Sequence, residues 1–236
     1  IMCPMNGINM EDIIAERFGK RHILHSKMVI SAERVGDNII YNGGADCCVH
    51  YGRAKGFGPV VFQDPDSPEG PSEFNEKSTS DVYDEDLESV RSLFNEYGPK
   101  SKFHDNIITI IWNKFALNIS TNIAQAIVGC NYGAYKTSAW MNEASQRLCD
   151  EVLAVAKAKG VECTYDNQRA FRTVMTDDRA RFSTLQDLMA GRHTEVDMFC
   201  GEVVRLGREL NVPVPYNDFA LMLIHSLEEK NDGLIS

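Results

Sequence analysis

Three side chains able to do chemistry recur every four residues: Lys114, Asn118 and Asn122. On a helix they form one polar stripe, drifting about 40° per step and rising roughly 12 Å in all. An ammonium followed by two amides on one face could grip a small polar anion. The alternative is a solvated stripe on a surface helix. Asparagine is a poor local choice inside a helix, because its side chain competes with the backbone for hydrogen bonds. Two of them at this spacing therefore ask for a reason. A second candidate is Glu195, within Gly191-Arg192-His193-Thr194-Glu195-Val196-Asp197. It is placed in the first turn of a helix expected over 194–210, where a carboxylate also complements the helix dipole. Ser183 has two readings: a ligand to substrate, or the hydroxyl of a Ser-x-x-Gln capping box completed by Gln186.

The stripe belongs to a long apolar stretch, 107–128, whose spacing predicts one helix. Ile108, Ile111, Trp112, Phe115, Ile119 and Ile123 give it a hydrophobic face too wide for a surface helix. Everything after residue 106 reads as helical: 139–159 ending at Gly160, 166–175, a short helix opened by Ser183, 194–210 and 219–227. The earlier part is mixed. A short apolar run ends at the Asn6-Gly7 turn, and a helix is expected over 10–18. Strands are expected over 21–30, 38–42 and 46–51, the last two joined through Gly43-Gly44, and one more over 102–105. Residues 56–81, rich in proline and acids, read as a loop. Residues 82–97 read as an amphipathic helix with Leu87, Val90, Leu93 and Phe94 inward. The division falls near Pro99: α/β material over 1–99, an all-helical domain over 100–236.

The 236 residues carry a formal net charge of −10 and no long basic run, which argues against nucleic acid and anionic membranes as partners. No apolar run reaches the length of a bilayer span. Seven cysteines, an odd number with no Cys-x-x-Cys pair, read as reduced thiols of a cytoplasmic protein. Cys3, Cys47 and Cys48 are expected in apolar strands, buried and inert. His22, His25 and His50 fit no common metal-ligand spacing, so no metal is expected. The opening Ile1-Met2-Cys3-Pro4-Met5 reads as if cut inside a strand, which suggests a larger protein.

At these residues the chain resembles the ketopantoate reductases (2-dehydropantoate 2-reductases). Residues 182–204, followed by Val212-Pro213-Val214-Pro215-Tyr216-Asn217, look like the family's C-terminal signature. Trp112 to Asn118 with Asn122 look like its catalytic helix. Met5-Asn6-Gly7 looks like the Asn-Gly turn after its last nucleotide-facing strand. The resemblance implies α/β followed by all-α: the remainder of a Rossmann-type domain, then a helical domain similar to the C-terminal domain of 6-phosphogluconate dehydrogenase. It implies reduction of a 2-keto acid by NADPH, with Lys114 as general acid. Asn118, Asn122 and Ser183 would hold the substrate, and Asn6 and Glu195 the nicotinamide-ribose side of the cofactor. A lysine beside a dry carbonyl can supply both charge and proton.

Departures qualify this. The family's Gly-x-Gly-x-x-Gly phosphate loop and a lysine from its front half are absent, so the chain by itself is expected to be inactive. Asn9 stands where many members have glycine, and Cys200 where asparagine is common. The reading in competition is a helical interaction module, non-catalytic, that needs a partner for the nucleotide half. The sequence leaves the oligomeric state open, a homodimer included.

Overall fold

The structure, a computed structural model, describes residues 1–19, 22–35, 37–42, 48–52, 54, 76–173 and 177–236. The chain forms two compact units. One comprises Ile1–Met5 and Met10–Ile108; the other comprises Asn6–Asn9 and Thr109–Ser236. The short segment Asn6–Asn9 thus belongs with the helices, although α/β residues flank it on both sides.

The α/β unit begins with α1 (Met10–Phe18) and continues through β1 (His25–Val29), β2 (Ser31–Val35), β3 (Asn38–Asn42) and β4 (Cys48–Gly52). It is completed by α2 (Glu76–Tyr97) and β5 (Ser101–His104). β1 pairs antiparallel with β4, and β4 pairs parallel with β5, giving the order β1-β4-β5. β2 and β3 form a separate antiparallel pair. β2 lies where no strand is expected, and β1 starts four residues later than the apolar pattern suggests. The Gly43-Gly44 connection and residues 56–75 lie outside the described residues. Residues 76–81, expected as loop, are the first turns of α2. Leu24, Tyr51 and Leu87 form the core, with Met2, Val90, Phe94 and Phe103 packed on it. Leu93 was expected to face inward but is exposed, because a stripe that includes Leu87, Val90 and Phe94 already fills the buried face. In α1 the apolar Ile13 and Phe18 are exposed as well, while Glu11 is buried against the Ser26 backbone N–H.

The helical unit runs through α3 (Ile107–Leu117), a π turn (Asn118–Ile123), α4 (Ala124–Val128), α5 (Ala134–Thr137) and α6 (Ala139–Ala158). It continues with α7 (Asn167–Thr173), α8 (Ser183–Met189), a 3₁₀ turn (Val196–Met198), α9 (Cys200–Leu210) and α10 (Pro215–Asn231). The apolar face expected of 107–128 is buried: Ile108, Ile111, Phe115 and Ile119 are each at most 6% exposed. Met141, Ser145, Leu148, Val152 and Val155, spaced alternately four and three, turn the inner stripe of α6 toward the π turn and α9. Burying one such aliphatic or aromatic side chain contributes about 1.5–3 kcal/mol before entropy is counted. α6 starts with Ser138, whose hydroxyl accepts from the Met141 N–H, and ends before Gly160 at φ 76°. Pro215 opens α10, and the buried Glu151 carboxylate accepts from the Tyr216 and Asn217 N–H groups there.

Two local expectations give way. The helix expected over 194–210 is broken at Phe199 (φ −101°, ψ −94°) into the 3₁₀ turn and α9. The break lets both Val196 and Phe199 be fully buried. The capping box at Ser183 does not form. Phe182 occupies the cap position, no side-chain cap bond is made there, and Gln186 Nε2 donates to the Arg181 carbonyl instead (2.7 Å).

Candidate active site

Lys114 lies in the last turn of α3, half-buried. Burial pushes its pKa down, and the nearby Glu195 carboxylate pulls the other way without cancelling it. A lysine so tuned gives up its proton more readily near neutral pH than a solvated one.

The π turn changes the geometry of the stripe. Four residues make more than one full turn of α-helix but less than one full turn of the wider π form. The drift from Lys114 to Asn118 is therefore reversed from Asn118 to Asn122, and Asn122 returns toward the line of Lys114. Asn118 is half-buried and Asn122 buried. A π turn misaligns backbone carbonyls, and side chains satisfy them here. Thr121 Oγ1 and Ser120 Oγ donate to the Leu117 carbonyl (2.6 and 3.2 Å), and the buried Tyr135 hydroxyl donates to the Thr121 carbonyl.

α8 packs against the π turn and α4 and brings Ser183, exposed, to the end of the chain segment anchored there. The anchor is Gln125, fully buried in α4. Its Nε2 donates to the Ala180 carbonyl (3.1 Å), and its Oε1 accepts from the Phe182 N–H (2.7 Å).

Glu195 precedes the 3₁₀ turn rather than opening a long helix, and its carbonyl accepts from the Met198 and Phe199 N–H groups. Asn6 Nδ2 donates to Glu195 Oε2 at 2.9 Å. The Asn6-Gly7 turn fits closely on the same element. Gly7 has φ 92°, and a Cβ built there would lie 3.1 Å from Met198 Cε. Asn9 Nδ2 donates to Glu202 Oε2 (3.3 Å), a buried carboxylate also held by Arg205. Asn6, Glu195 and Lys114 are thus electrostatically linked within one unit. Asn118, Asn122 and Ser183 lie on the π turn and the helix packed against it.

Sequence reasoning missed Gln125, Tyr135 and Glu228, which hold these elements. Their contacts with the Thr121 carbonyl, Thr194, the Ala180 carbonyl and the Phe182 N–H span 14 to 57 residues, and only a polar residue in an apolar context hinted at them. Among the described residues no group of three or more His, Cys, Asp or Glu could hold a metal ion. Burial raises the thiol pKa of Cys3, Cys130, Cys163 and Cys149, the last to about 12, which disfavours thiolate chemistry. Cys3 lies outside the named strands, and both it and Cys48 are only partly buried, so their expected full burial is not met; Cys47 lies outside the described residues.

Residues 106–228 match the family model described as ketopantoate reductase PanE/ApbA C terminal. The chain belongs to the ketopantoate reductase family. A 2-dehydropantoate 2-reductase of Streptococcus pyogenes serotype M3 is 26% identical over 233 residues, covering 97% of this chain and 67% of that protein. The chain spans about half the length of the first curated relatives it matches. A PanE/ApbA family ketopantoate reductase from Ralstonia eutropha JMP134 superposes with TM-score 0.75 at 23% identity, over 98% of this chain and 67% of that one. A D-mandelate dehydrogenase with NADH and anilino(oxo)acetate superposes equally well (TM-score 0.75, 21% identity, 98% and 68% covered). The fold is accordingly part of a Rossmann-type α/β domain followed by the helical domain of this family.

Proposed function

We propose that this chain carries the substrate-reducing half of an NADPH-dependent 2-keto acid reductase, most simply one that converts ketopantoate (2-dehydropantoate) to pantoate. The observation that carries the reading is Lys114, half-buried with a lowered pKa, facing the field of a Glu195 carboxylate that Asn6 holds at 2.9 Å. The described Asn6–Glu195 pair fits a ribose diol, since it offers a carboxylate to accept and an amide to donate. A reduced nicotinamide dinucleotide held there would supply the hydride that C2 of the keto acid needs. Lys114 Nζ passes its proton to the carbonyl oxygen as negative charge develops there, and solvent re-protonates the amine. Asn118, Asn122 and Ser183 bind the substrate's carboxylate and hydroxyl groups. The division of labour follows the two parts of the chain: the remainder of the nucleotide domain over 1–99, and substrate and proton over 100–236, with Glu195 reaching the cofactor from the second part.

No helix among the described residues is long and apolar enough to cross a membrane, and we place the enzyme in the cytoplasm. We also propose a homodimer. A groove of about 650 Å³ between α4, α6 and α10 is lined by Ile127, Val128, Phe219 and Leu223, with Trp140 on its rim 85% exposed. Apolar surface of this kind is what a second copy would cover.

Steady-state kinetics of the whole protein test the mechanism. Lys114→Ala is expected to lower turnover with ketopantoate by on the order of 10²-fold or more. Asn118→Ala is expected to raise KM with a smaller effect on turnover, since an amide gripping a distant group binds ground and transition states alike. NADPH is expected to outperform NADH. Near-normal turnover of Lys114→Ala would return the lysine to a solvated stripe.

A further inference from the structure

The mechanism uses the Glu195 carboxylate but leaves unexplained what holds its backbone. Glu195 lies between Thr194 and the 3₁₀ turn, and both flanks are tied to one buried group. Glu228, on α10, is 4% exposed. Its Oε1 accepts from the Thr194 N–H and from the Thr194 hydroxyl, each at 2.7 Å. The same hydroxyl oxygen accepts from the Val196 N–H at 3.2 Å. Glu228 Oε2 is 2.9 Å from His225 Nδ1, and His225 Nε2 is 3.1 Å from Asp197 Oδ1 on the 3₁₀ turn. When both ring nitrogens carry protons, His225 donates to Glu228 and to Asp197 and so ties α10 to the turn at two points.

We propose that Glu228 and His225 are positioning residues: together they clasp Thr194 and Asp197 and so fix the turn that presents Glu195 to Asn6 and Lys114. This rests on the proposed role of Glu195 toward the cofactor, but the clasp itself is a claim about geometry. A buried carboxylate that accepts two hydrogen bonds from one residue is well suited to setting a turn, because breaking either leaves a charge poorly solvated. The clasp is sensitive to pH at the histidine. Burial lowers the His225 pKa, but its hydrogen bonds and the charges of Glu228 and Asp197 outweigh that and raise it. Burial likewise raises the Glu228 pKa, and the Thr194 and His225 contacts outweigh that and lower it.

Other charges around α10 are accounted for. His193 lies 3.9 Å from Glu228 and 3.0 Å from Asp232, and it adds to the same network from the exposed side. On α6, Glu151 is held by Tyr216 and Asn217, and Arg147 by Glu143 and Tyr216. On α9, Arg205 is held by Glu202 and Glu209, and Arg208 lies 3.7 Å from Asp218. On α8, Asp187 pairs with Arg192, and α4 carries no charged residue.

The test uses the 236-residue chain, isotope-labelled and followed by NMR from about pH 5 to about pH 9, the range in which histidine titrates. The Thr194 N–H and the Asn6 side-chain amide are expected to shift with the same midpoint as the His225 ring. In His225→Gln that coupled transition is expected to vanish. Thr194→Ser is expected to keep it, and Thr194→Val to lose it. A His225 ring that titrates while Thr194 and Asn6 stay still would overturn the clasp. That wild-type measurement stands even where Glu228→Gln does not fold. In the whole protein, His225→Gln is expected to raise KM for the dinucleotide about 10-fold with kcat changed much less. Coupled resonances with an unchanged KM would uphold the clasp and remove Glu195 from the proposed cofactor contact.

Discussion

The α/β unit gathers its described core around Leu24, Tyr51 and Leu87, with short strands and a small partly buried periphery. The helical unit buries Phe115, Ile119, Ile123, Val152, Phe199, Val203 and Ile224 to 0 or 1% exposure. It also closes over Gln125, Glu151, Asn167, Asn217 and Glu228, each with a hydrogen-bond partner. The difference teaches where a precise site can be built. Polar side chains are held to a fixed geometry when their backbone is over-determined by packing and their unused hydrogen-bonding groups are satisfied. The helical unit meets both conditions around the π turn and the 3₁₀ turn. It also captures Asn6–Asn9 from the early part of the chain, so all six candidate residues fall within it.

The comparison breaks most visibly in the cores. Phe115→Ala is expected to destabilise the helical unit by about 3–5 kcal/mol, and Leu87→Ala the α/β unit by about 2–3 kcal/mol, because the latter site can collapse more easily. Both tryptophans, Trp112 and Trp140, belong to the helical unit. Tryptophan fluorescence in a urea titration therefore follows that unit, while circular dichroism follows both. A Leu87→Ala midpoint shift seen equally by fluorescence would erase the distinction between the units.

Tyr135→Phe is the sharper probe of the π turn, since it removes one hydroxyl and keeps the ring. Leaving the buried Thr121 carbonyl without this donor is expected to cost about 1–3 kcal/mol. The same urea titration reads it, and an unchanged midpoint would show that the turn holds itself.

Histidines in the two units are shifted in opposite directions. Burial, then Lys102 and Lys27, lower the His104 pKa below its usual 6.5. Its contribution to stability is full above about 6.5 and is lost as pH falls through the folded-state pKa. For His225, raised above 6.5, the contribution is full below about 6.5 and is lost as pH rises through the folded-state pKa. Acidification from about pH 8 is thus expected to loosen β5 and tighten residues 194–198. Amide hydrogen exchange, corrected for the intrinsic effect of pH, measures both, and a change of the same sign in both places would contradict the assignment. At the small end, Leu93→Ala on the exposed side of α2 is expected to change stability by no more than about 0.5 kcal/mol by the same titration.

What the sequence by itself determined was periodicity and residue chemistry. In the helical unit, the three- and four-residue recurrence of apolar side chains marked most of the helical stretches and the buried face of 107–128, because burial of that face dominates the local free energy. The recurrence of Lys114, Asn118 and Asn122 marked a polar stripe for the same geometric reason. Only tertiary structure decided how that stripe is aimed. The π turn differs from α-helix by one residue in the span of each backbone hydrogen bond, a preference too small to be written locally, and the distant Tyr135 hydroxyl helps satisfy the carbonyls it frees. Tertiary packing also split 194–210 at Phe199, because burying both Val196 and Phe199 outweighs helix continuity. It overrode the Ser183 capping box as well, since Gln125 fixes the Phe182 N–H first. Asn6 meets Glu195 across 189 residues. A contact at that separation has no local signature in composition or spacing, because the free energy that makes it comes from the packing of the elements between.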